Sequence, residues 1–217
     1  MEFKIRASGC GQIMTNPRSK SDLLSKTAQT FCQEWLISKL FDRHKEISSK
    51  YMDKGLIVED QAIDLYSELT GKFFIKNEQY FENEFCCGTP DIISDIIADV
   101  KSVWSPFTLP IFETEVPANY FFQLQVYMHL TGKTESELVY VLCDTPLHLI
   151  EAETYSYCRR TGYNFTDVFD GFVKNMTYSD IPKEKRIKIF TIDYDPATIE
   201  RIEGRVKTCR EYINQLI

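Results

Sequence analysis

Two carboxylates and one amine are the side chains of this sequence best suited to chemistry. They lie within GTPDIISDIIADVK, residues 88–101, whose β-branched residues predict two short strands joined by a tight turn. Asp91 opens the first strand, and Asp99 and Lys101 stand two apart on the second. Because strand side chains alternate, Asp99 and Lys101 should project from one face of the strand and Val100 from the other.

Two carboxylates beside an ammonium can hold a hard divalent cation, since Mg²⁺ and Mn²⁺ prefer oxygen ligands. The alternative is an ordinary surface ion pair, because Asp-x-Lys is common on strands. The neighbouring residues favour an interior strand, where charges are rarely placed without a partner or a metal. These apolar neighbours are Ile96, Ile97, Ala98, Val100 and Val103.

Two predicted helices could bring further polar side chains to this hairpin. A helix over about residues 54–70 should end at Gly71, and its Glu59 borders the apolar stripe. That stripe consists of Ile57, Ala62, Ile63, Tyr66 and Leu69. A second helix, over about 117–130, carries Gln123 and Tyr127 on one face. Judged by spacing alone, Glu59 and the Gln-x-x-x-Tyr pair could equally be ordinary helix surface.

The whole pattern predicts an α/β chain in which a mixed sheet is flanked by helices. The other expected elements are a short helix over about 6–14 capped by Ser8, a helix over about 25–43, strands at 73–75, 79–86 and 138–143, helices at 146–160 and 167–175, an edge strand at 186–192 and a final helix from Asp195.

Length and composition favour one cytoplasmic domain. The chain has 217 residues, of which 43% are hydrophobic, and it contains no apolar run long enough to cross a membrane. The first residues lack the apolar region of a signal peptide. Seven cysteines without a C-x-x-C pair give no basis for a zinc or iron–sulfur site.

The charge is unevenly distributed along the chain. Residues 1–50 carry nine basic and five acidic residues, whereas the whole chain has a net charge of −7. An acidic total argues against nucleic-acid binding, but a basic N-terminal portion can face phosphates while acidic helices cover the outside.

Taken in order, these motifs resemble the PD-(D/E)xK nuclease superfamily, and within it the phage lambda exonuclease branch of viral alkaline exonucleases and recombination nucleases. The PD is Pro90-Asp91, and the second half is Asp99-Val100-Lys101. The similarity extends over roughly residues 5–143. The other matching stretches are IRAS at 5–8, PRS at 17–19, Lys54-Gly55, EDQA at 59–62, PFT at 106–108 and QLQVY at 123–127.

The resemblance implies a restriction-endonuclease-like core and a metal-dependent 5′→3′ exonuclease that acts on double-stranded DNA ends and makes single strands for recombination. It further implies two Mg²⁺ or Mn²⁺ ions, held by Asp91, Asp99, the Val100 carbonyl and Glu59. Lys101 would orient or help deprotonate the attacking water, and Gln123 would position the site and the DNA backbone.

The DNA-contacting residues implied by the resemblance are Ser8, Arg18 and Tyr127. The whole chain, 1–217, would be one nuclease domain, with a basic helical portion at about 1–50, a catalytic core at about 51–143 and C-terminal helices with an edge strand at 144–217. The implied partners are DNA ends, a single-strand annealing protein and two further copies in a homotrimer, with no membrane.

One departure from the family pattern is that the second acid is Asp99, which shortens the ligand relative to Glu. Two alternatives stay open at this point. One is an endonuclease of the same fold. The other is a non-catalytic DNA-binding recombination protein, although every expected catalytic position is filled.

Overall fold

The computed structural model describes residues 2–19, 21–45 and 48–217. Its strands are β1 (Ile5–Arg6), β2 (Phe81–Glu82), β3 (Cys86–Gly88), β4 (Ile92–Ile93), β5 (Ile97–Ser102), β6 (Glu135–Val141) and β7 (Ile187–Asp193). Its α-helices are α1 (Cys10–Ile13), α2 (Lys26–Phe41), α3 (Lys50–Thr70), α4 (Ala118–Thr131), α5 (Leu147–Thr161), α6 (Phe165–Met176) and α7 (Pro196–Asn214).

The larger sheet has the strand order β4-β5-β6-β7 and contains the predicted hairpin. Strands β4 and β5 pair antiparallel, with Ile92 opposite Ala98 and Ile93 opposite Ile97. Strands β5 and β6 run parallel, so a crossover must connect them, and α4 lies on that crossover. Strand β7 is an edge strand, antiparallel to β6. The predicted mixed α/β fold is therefore confirmed.

Side chains of β5 alternate between two layers of core. Ile97 packs in a core cluster that includes Leu124 of α4, whereas Ala98 and Val100 pack in a second cluster with Ala62 of α3. The sheet is thus covered by α3 on one face and by α4 on the other. The alternation leaves Asp99 on the α4 side, as the spacing predicts.

A small second sheet, of order β1-β3-β2, joins the N-terminal segment to the hairpin. Strand β1 pairs parallel with β3, so that the 3₁₀ helix Ala7–Gly9 follows beside Gly88. The expectation that Ser8 caps a helix is wrong, because Ser8 lies inside this 3₁₀ turn and α1 is preceded by Gly9 without a side-chain cap.

The segment before the hairpin also departs from the prediction. No strand forms over 73–75, where Phe73 and Ile75 are exposed, and the 79–86 region divides into β2 and β3. Only Lys76 makes a bridge there, with Ile92. Aromatic and β-branched composition favoured a strand, but Lys76 is the one residue of this segment that pairs with a strand of the sheet.

Helix α3 begins earlier than expected, at Lys50, because the Ser49 side chain accepts a hydrogen bond from the Met52 N–H. It ends as predicted at Gly71, whose φ of 66° suits glycine. Its buried residues differ from the predicted stripe: Ile57 is exposed and Leu69 half-buried, whereas Lys54, Val58 and Leu65 are buried.

The remaining helices and strands begin and end within a few residues of their predicted bounds, including the cap of α2 by Ser25 and of α7 by Asp195. All seven cysteines are free thiols, and six of them are buried. Among the described residues, no helix combines the length and apolar character needed to cross a bilayer.

We expect Gly88→Ala to lower the free energy of unfolding by about 1–3 kcal/mol, since added core atoms that clash force neighbours to shift. A Cβ at Gly88 would lie 2.7 Å from the Tyr127 ring and 3.1 Å from the Ala7 Cβ. Gly171→Ala is the matched control, because a Cβ in the middle of α6 meets nothing within 4 Å. It should raise stability by about 0.5–1 kcal/mol. Denaturant unfolding of both variants checks this, and an unchanged midpoint for Gly88→Ala would contradict the packing.

Candidate active site

The hairpin places the Asp91 carboxylate beside the second strand. Asp91 lies just before β4, and its Oδ2 accepts a hydrogen bond from the Val100 N–H at 2.8 Å. Asn77 fixes the main chain of the turn into the hairpin. Its N–H donates to the Asp91 carbonyl at 2.7 Å, and its Nδ2 donates to the Pro90 carbonyl at 2.9 Å. The orientation of Asp91 is therefore set from both sides.

Asp99 is the most deeply buried acid of the site, with 1% of its surface exposed. Its Oδ1 accepts a hydrogen bond from Gln123 Nε2 at 2.8 Å, and its Oδ2 lies 2.6 Å from Lys101 Nζ. Apart from this ion pair, the buried Oδ2 has no hydrogen-bond partner. The predicted shared face of Asp99 and Lys101 is present in the structure.

Helix α4 supports Asp99 through Gln123 and Tyr127. Gln123 Nε2 also lies 3.2 Å from the Tyr127 hydroxyl, so the two residues share a face as their spacing predicts. Tyr127 is 5% exposed, and burial followed by the Asp99 carboxylate raises its pKa. Tyr127 is thus largely buried next to Gln123, and its contact with DNA stays a prediction.

The two carboxylates of the hairpin repel each other. Burial, and next the Asp99 carboxylate, raise the pKa of Asp91 to about 7. Burial alone would lower the pKa of Lys101, but the Asp99 and Asp91 carboxylates outweigh it and raise that pKa above its usual range. Lys101 therefore stays a cation beside the two acids. Without a bound cation, Asp91 loses its proton only near pH 7.

A cavity of about 510 Å³ is lined by Asp91, Val100 and Lys101 of the hairpin, whereas the buried Asp99 does not line it. Glu59 of α3 also lines this cavity, so the structure places Glu59 on the same side as Asp91. Glu59 Oε2 accepts a hydrogen bond from Lys76 Nζ at 2.7 Å. The other polar and aromatic residues of the lining include Tyr51, Lys101, Ser102, Trp104, Thr108, Tyr120 and Tyr140.

Several residues of this cavity were not predicted from the sequence. The Lys101 ammonium lies 5.4 Å from the centre of the Tyr120 ring, and Trp104 is contacted by the ammonium groups of Lys50 and Lys54. Tyr120 precedes Gln123 by one helical turn, and that spacing could have identified it. Nothing in the spacing indicates Trp104, because it lies in the irregular segment after β5.

The N-terminal candidates lie apart from this cluster of hydrogen bonds. Ser8 is exposed on the 3₁₀ turn that follows β1, next to Ala7, which approaches Gly88 closely. Arg18 is exposed in the connection between α1 and α2. Neither side chain contacts Asp91 or Asp99, and a role in DNA contact stays a prediction for both.

The carboxylates at this cavity suit a hard cation. Glu59 and Asp91 line it, and the buried Asp99, whose Oδ2 has only the Lys101 ammonium as its partner, is a third carboxylate next to Lys101. Among the described residues, no three acidic, histidine or cysteine side chains already converge as a metal cluster. Each of the three carboxylates instead has a partner within the protein: the Val100 N–H for Asp91, Gln123 and Lys101 for Asp99, and Lys76 for Glu59.

Fold and site together define a nuclease of the PD-(D/E)xK type. A scan of protein-family models gave no match, and a search of curated proteins gave none. Among solved structures, a phage-related exonuclease from Haemophilus somnus 129PT has 30% sequence identity and a TM-score of 0.83, over 100% of this chain and 96% of its own. The chain belongs to the lambda-exonuclease-like family of phage-related exonucleases.

More distant structures share the fold. An alkaline exonuclease from Laribacter hongkongensis is 17% identical with a TM-score of 0.67, over 98% of this chain and 88% of its own. Its complex with dAMP gives 17% identity and a TM-score of 0.66 over the same shares. The family resemblance and the restriction-endonuclease-like core expected from the sequence are thereby confirmed.

We expect Asp91→Asn to stabilise the protein in EDTA. The pKa of Asp91 is raised on folding to about 7, so between about pH 4 and 7 the folded chain holds a proton that the unfolded chain has lost. Wild-type stability therefore falls with rising pH across that window. The Asn side chain keeps an acceptor for the Val100 N–H and carries no charge.

The melting temperature of Asp91→Asn should thus exceed that of the wild type more at pH 8 than at pH 5. Thermal unfolding at the two pH values measures the difference. An equal difference at both pH values would mean that folding does not raise the pKa of Asp91.

Proposed function

We propose that this protein is a metal-dependent exonuclease that degrades one strand of linear double-stranded DNA in the 5′→3′ direction and leaves single strands for recombination. The observation that carries the proposal is the hairpin that holds Asp91 and Lys101 at the wall of a cavity, with the buried Asp99 paired to Lys101. Membership of the phage-related exonuclease family supports it. The dAMP in the Laribacter structure supports nucleotide binding at this kind of fold.

Asp91, Asp99, the Val100 carbonyl and Glu59 would hold two Mg²⁺ or Mn²⁺ ions. When bound, such ions stabilise the charge that develops on the attacking and leaving oxygens of a phosphodiester. The oxygen-only donor set fits these hard cations and contains none of the Cys or His ligands of typical structural Zn²⁺ sites.

Lys101 would act on the attacking water. Its Nζ lies 2.6 Å from Asp99 Oδ2, and its ammonium borders the cavity, so it can donate a hydrogen bond to a water there and orient it toward phosphorus. In the reaction the water oxygen bonds to phosphorus, the bond from phosphorus to the 3′ oxygen breaks, and that oxygen takes up a proton. A fixed ammonium also stabilises the negative charge of the phosphoryl group.

Gln123 acts on the site through its hydrogen bond to Asp99. By donating to Asp99 Oδ1 it fixes the rotation of the carboxylate, so that Oδ2 meets Lys101. It is 5% exposed, so its proposed effect on the DNA backbone is exerted through Asp99. It is a positioning residue, and Tyr127 holds its amide from below.

The aromatic wall of the cavity suits a nucleotide. Tyr51 and Trp104 contact each other edge to face, with ring centres 5.3 Å apart, and both line the cavity beside Glu59. Aromatic faces bind unpaired bases without regard to sequence. Ser8 and Arg18 are proposed contacts to the DNA backbone, whose loss should weaken binding to all sequences alike and reduce its salt dependence.

The proposed chemistry predicts large losses from two substitutions. Asp99→Ala removes a cation ligand, and Lys101→Ala removes the donor to the water, so each should lower the cleavage rate on the order of 10²- to 10⁴-fold. Asp170→Ala, at an exposed position of α6, is the matched control and should cleave as the wild type does.

The assay uses end-labelled linear duplex and covalently closed circular DNA, with Mg²⁺ and with EDTA. Linear DNA should lose nucleotides from its 5′ ends in Mg²⁺ only, and closed circles should stay intact. Cleavage of closed circles would favour an endonuclease of the same fold, and near wild-type rates for Asp99→Ala or Lys101→Ala would reject the site.

A further inference from the structure

Lys76 places an ammonium beside Glu59, which lines the cavity. Its Nζ lies 2.7 Å from Glu59 Oε2, and Glu59 lines the cavity with Asp91. The main chain of Lys76 is fixed, because the residue bridges Ile92 of the hairpin and the next residue, Asn77, holds the Asp91 carbonyl. The base of the side chain is therefore placed by the same segment that places the catalytic turn.

The two side chains of this ion pair differ in solvent exposure. The Lys76 side chain is 41% exposed, whereas that of Glu59 is 20% exposed. An exposed ion pair contributes little to stability, so the pair need not be retained for folding. A lysine side chain has four rotatable carbons and a compact charge, and it can exchange one anion for another at small cost.

The charges of the cavity determine which anion that would be. Among the described residues, the ammonium groups that form ion pairs with the carboxylates of the site are Lys76, which pairs with Glu59, and Lys101, which pairs with Asp99. A divalent cation that takes Glu59 as a ligand would stand next to the Lys76 ammonium and repel it. Under the proposed function, a DNA phosphate binds at the same cavity as the cation and is the anion available to the displaced Lys76 ammonium.

We propose that Lys76 is a DNA-positioning residue that pairs with Glu59 when no cation is bound and with a backbone phosphate of the DNA when one is. This inference rests on the proposed function and adds a coupling to it. A cation at Glu59 releases Lys76 toward the DNA, and DNA that holds Lys76 frees Glu59 for the cation. Each ligand therefore raises the affinity of the other.

The test is the variant Lys76→Gln, with Lys72→Gln as a matched control and Lys76→Arg to keep the charge. Lys72 is exposed on the same connection after α3 and makes no ion pair among the described residues. Mn²⁺ binding to the DNA-free proteins is measured by isothermal titration. Binding of a labelled linear duplex is measured by fluorescence anisotropy, in EDTA and in Ca²⁺.

Lys76→Gln should bind Mn²⁺ roughly fivefold more tightly than the wild type, because Glu59 loses its competing partner. It should bind the duplex more weakly in Ca²⁺, and the gain in DNA affinity from EDTA to Ca²⁺ should shrink. Lys76→Arg and Lys72→Gln should stay close to the wild type in both measurements. These opposite signs separate the proposal from a purely structural role, which would weaken both affinities or neither.

Unchanged or weaker Mn²⁺ binding by Lys76→Gln, with normal binding by the wild type, would overturn the role of Lys76 and leave the proposed nuclease intact. A wild type that binds no Mn²⁺ would overturn the metal-dependent function itself, and the inference would fall with it.

Discussion

The hydrogen bond from the Val100 N–H to Asp91 Oδ2, 2.8 Å long, is the contact on which the site depends. It ties the turn before β4 to the middle of β5 and so sets the Asp91 carboxylate beside that of Asp99. Two carboxylates this close and this buried oppose each other, and the raised pKa of Asp91 expresses that cost. A protein tolerates such an arrangement where the repulsion serves a ligand of opposite charge.

The surrounding structure holds the carboxylates in place despite this repulsion. Gln123 and Lys101 occupy the two oxygens of Asp99, and Asn77 holds the main chain at Asp91. The alternation along β5 makes this possible, since Val100 packs toward α3 while Asp99 is directed toward α4. One strand thus supplies both a core residue and a functional residue at adjacent positions, with α4 close enough for Gln123 to reach.

Much of this could be predicted from the sequence because it depends on local rules. Period-two alternation places Asp99 and Lys101 on one face, and glycine at positive φ ends α3 at Gly71 and α4 at Gly132. The order of motifs gave the family, which whole-chain similarity to a solved phage-related exonuclease confirms. Roles carried over from the family for individual residues stay predictions.

The contacts that could not be predicted are those set by distant partners. Lys54 is buried because the Trp104 carbonyl accepts its hydrogen bond at 3.1 Å and the rings of Trp104 and Tyr178 lie against it. Helical spacing placed Tyr127 correctly beside Gln123, but it could not show that Gly88 packs against its ring and closes it from solvent. Lys76 meets Glu59 across 17 positions of sequence, and no periodicity links them.

The central claim is that Asp91 and Asp99 together form the cation site of the enzyme. Diffraction from crystals soaked in Mn²⁺, recorded where Mn²⁺ scatters anomalously, tests it without reference to activity. The account predicts an anomalous peak at ligand distance, about 2.0–2.3 Å, from carboxylate oxygens of both residues. A peak bound to other residues, or full Mn²⁺ uptake by a variant in which both are Asn, would contradict it.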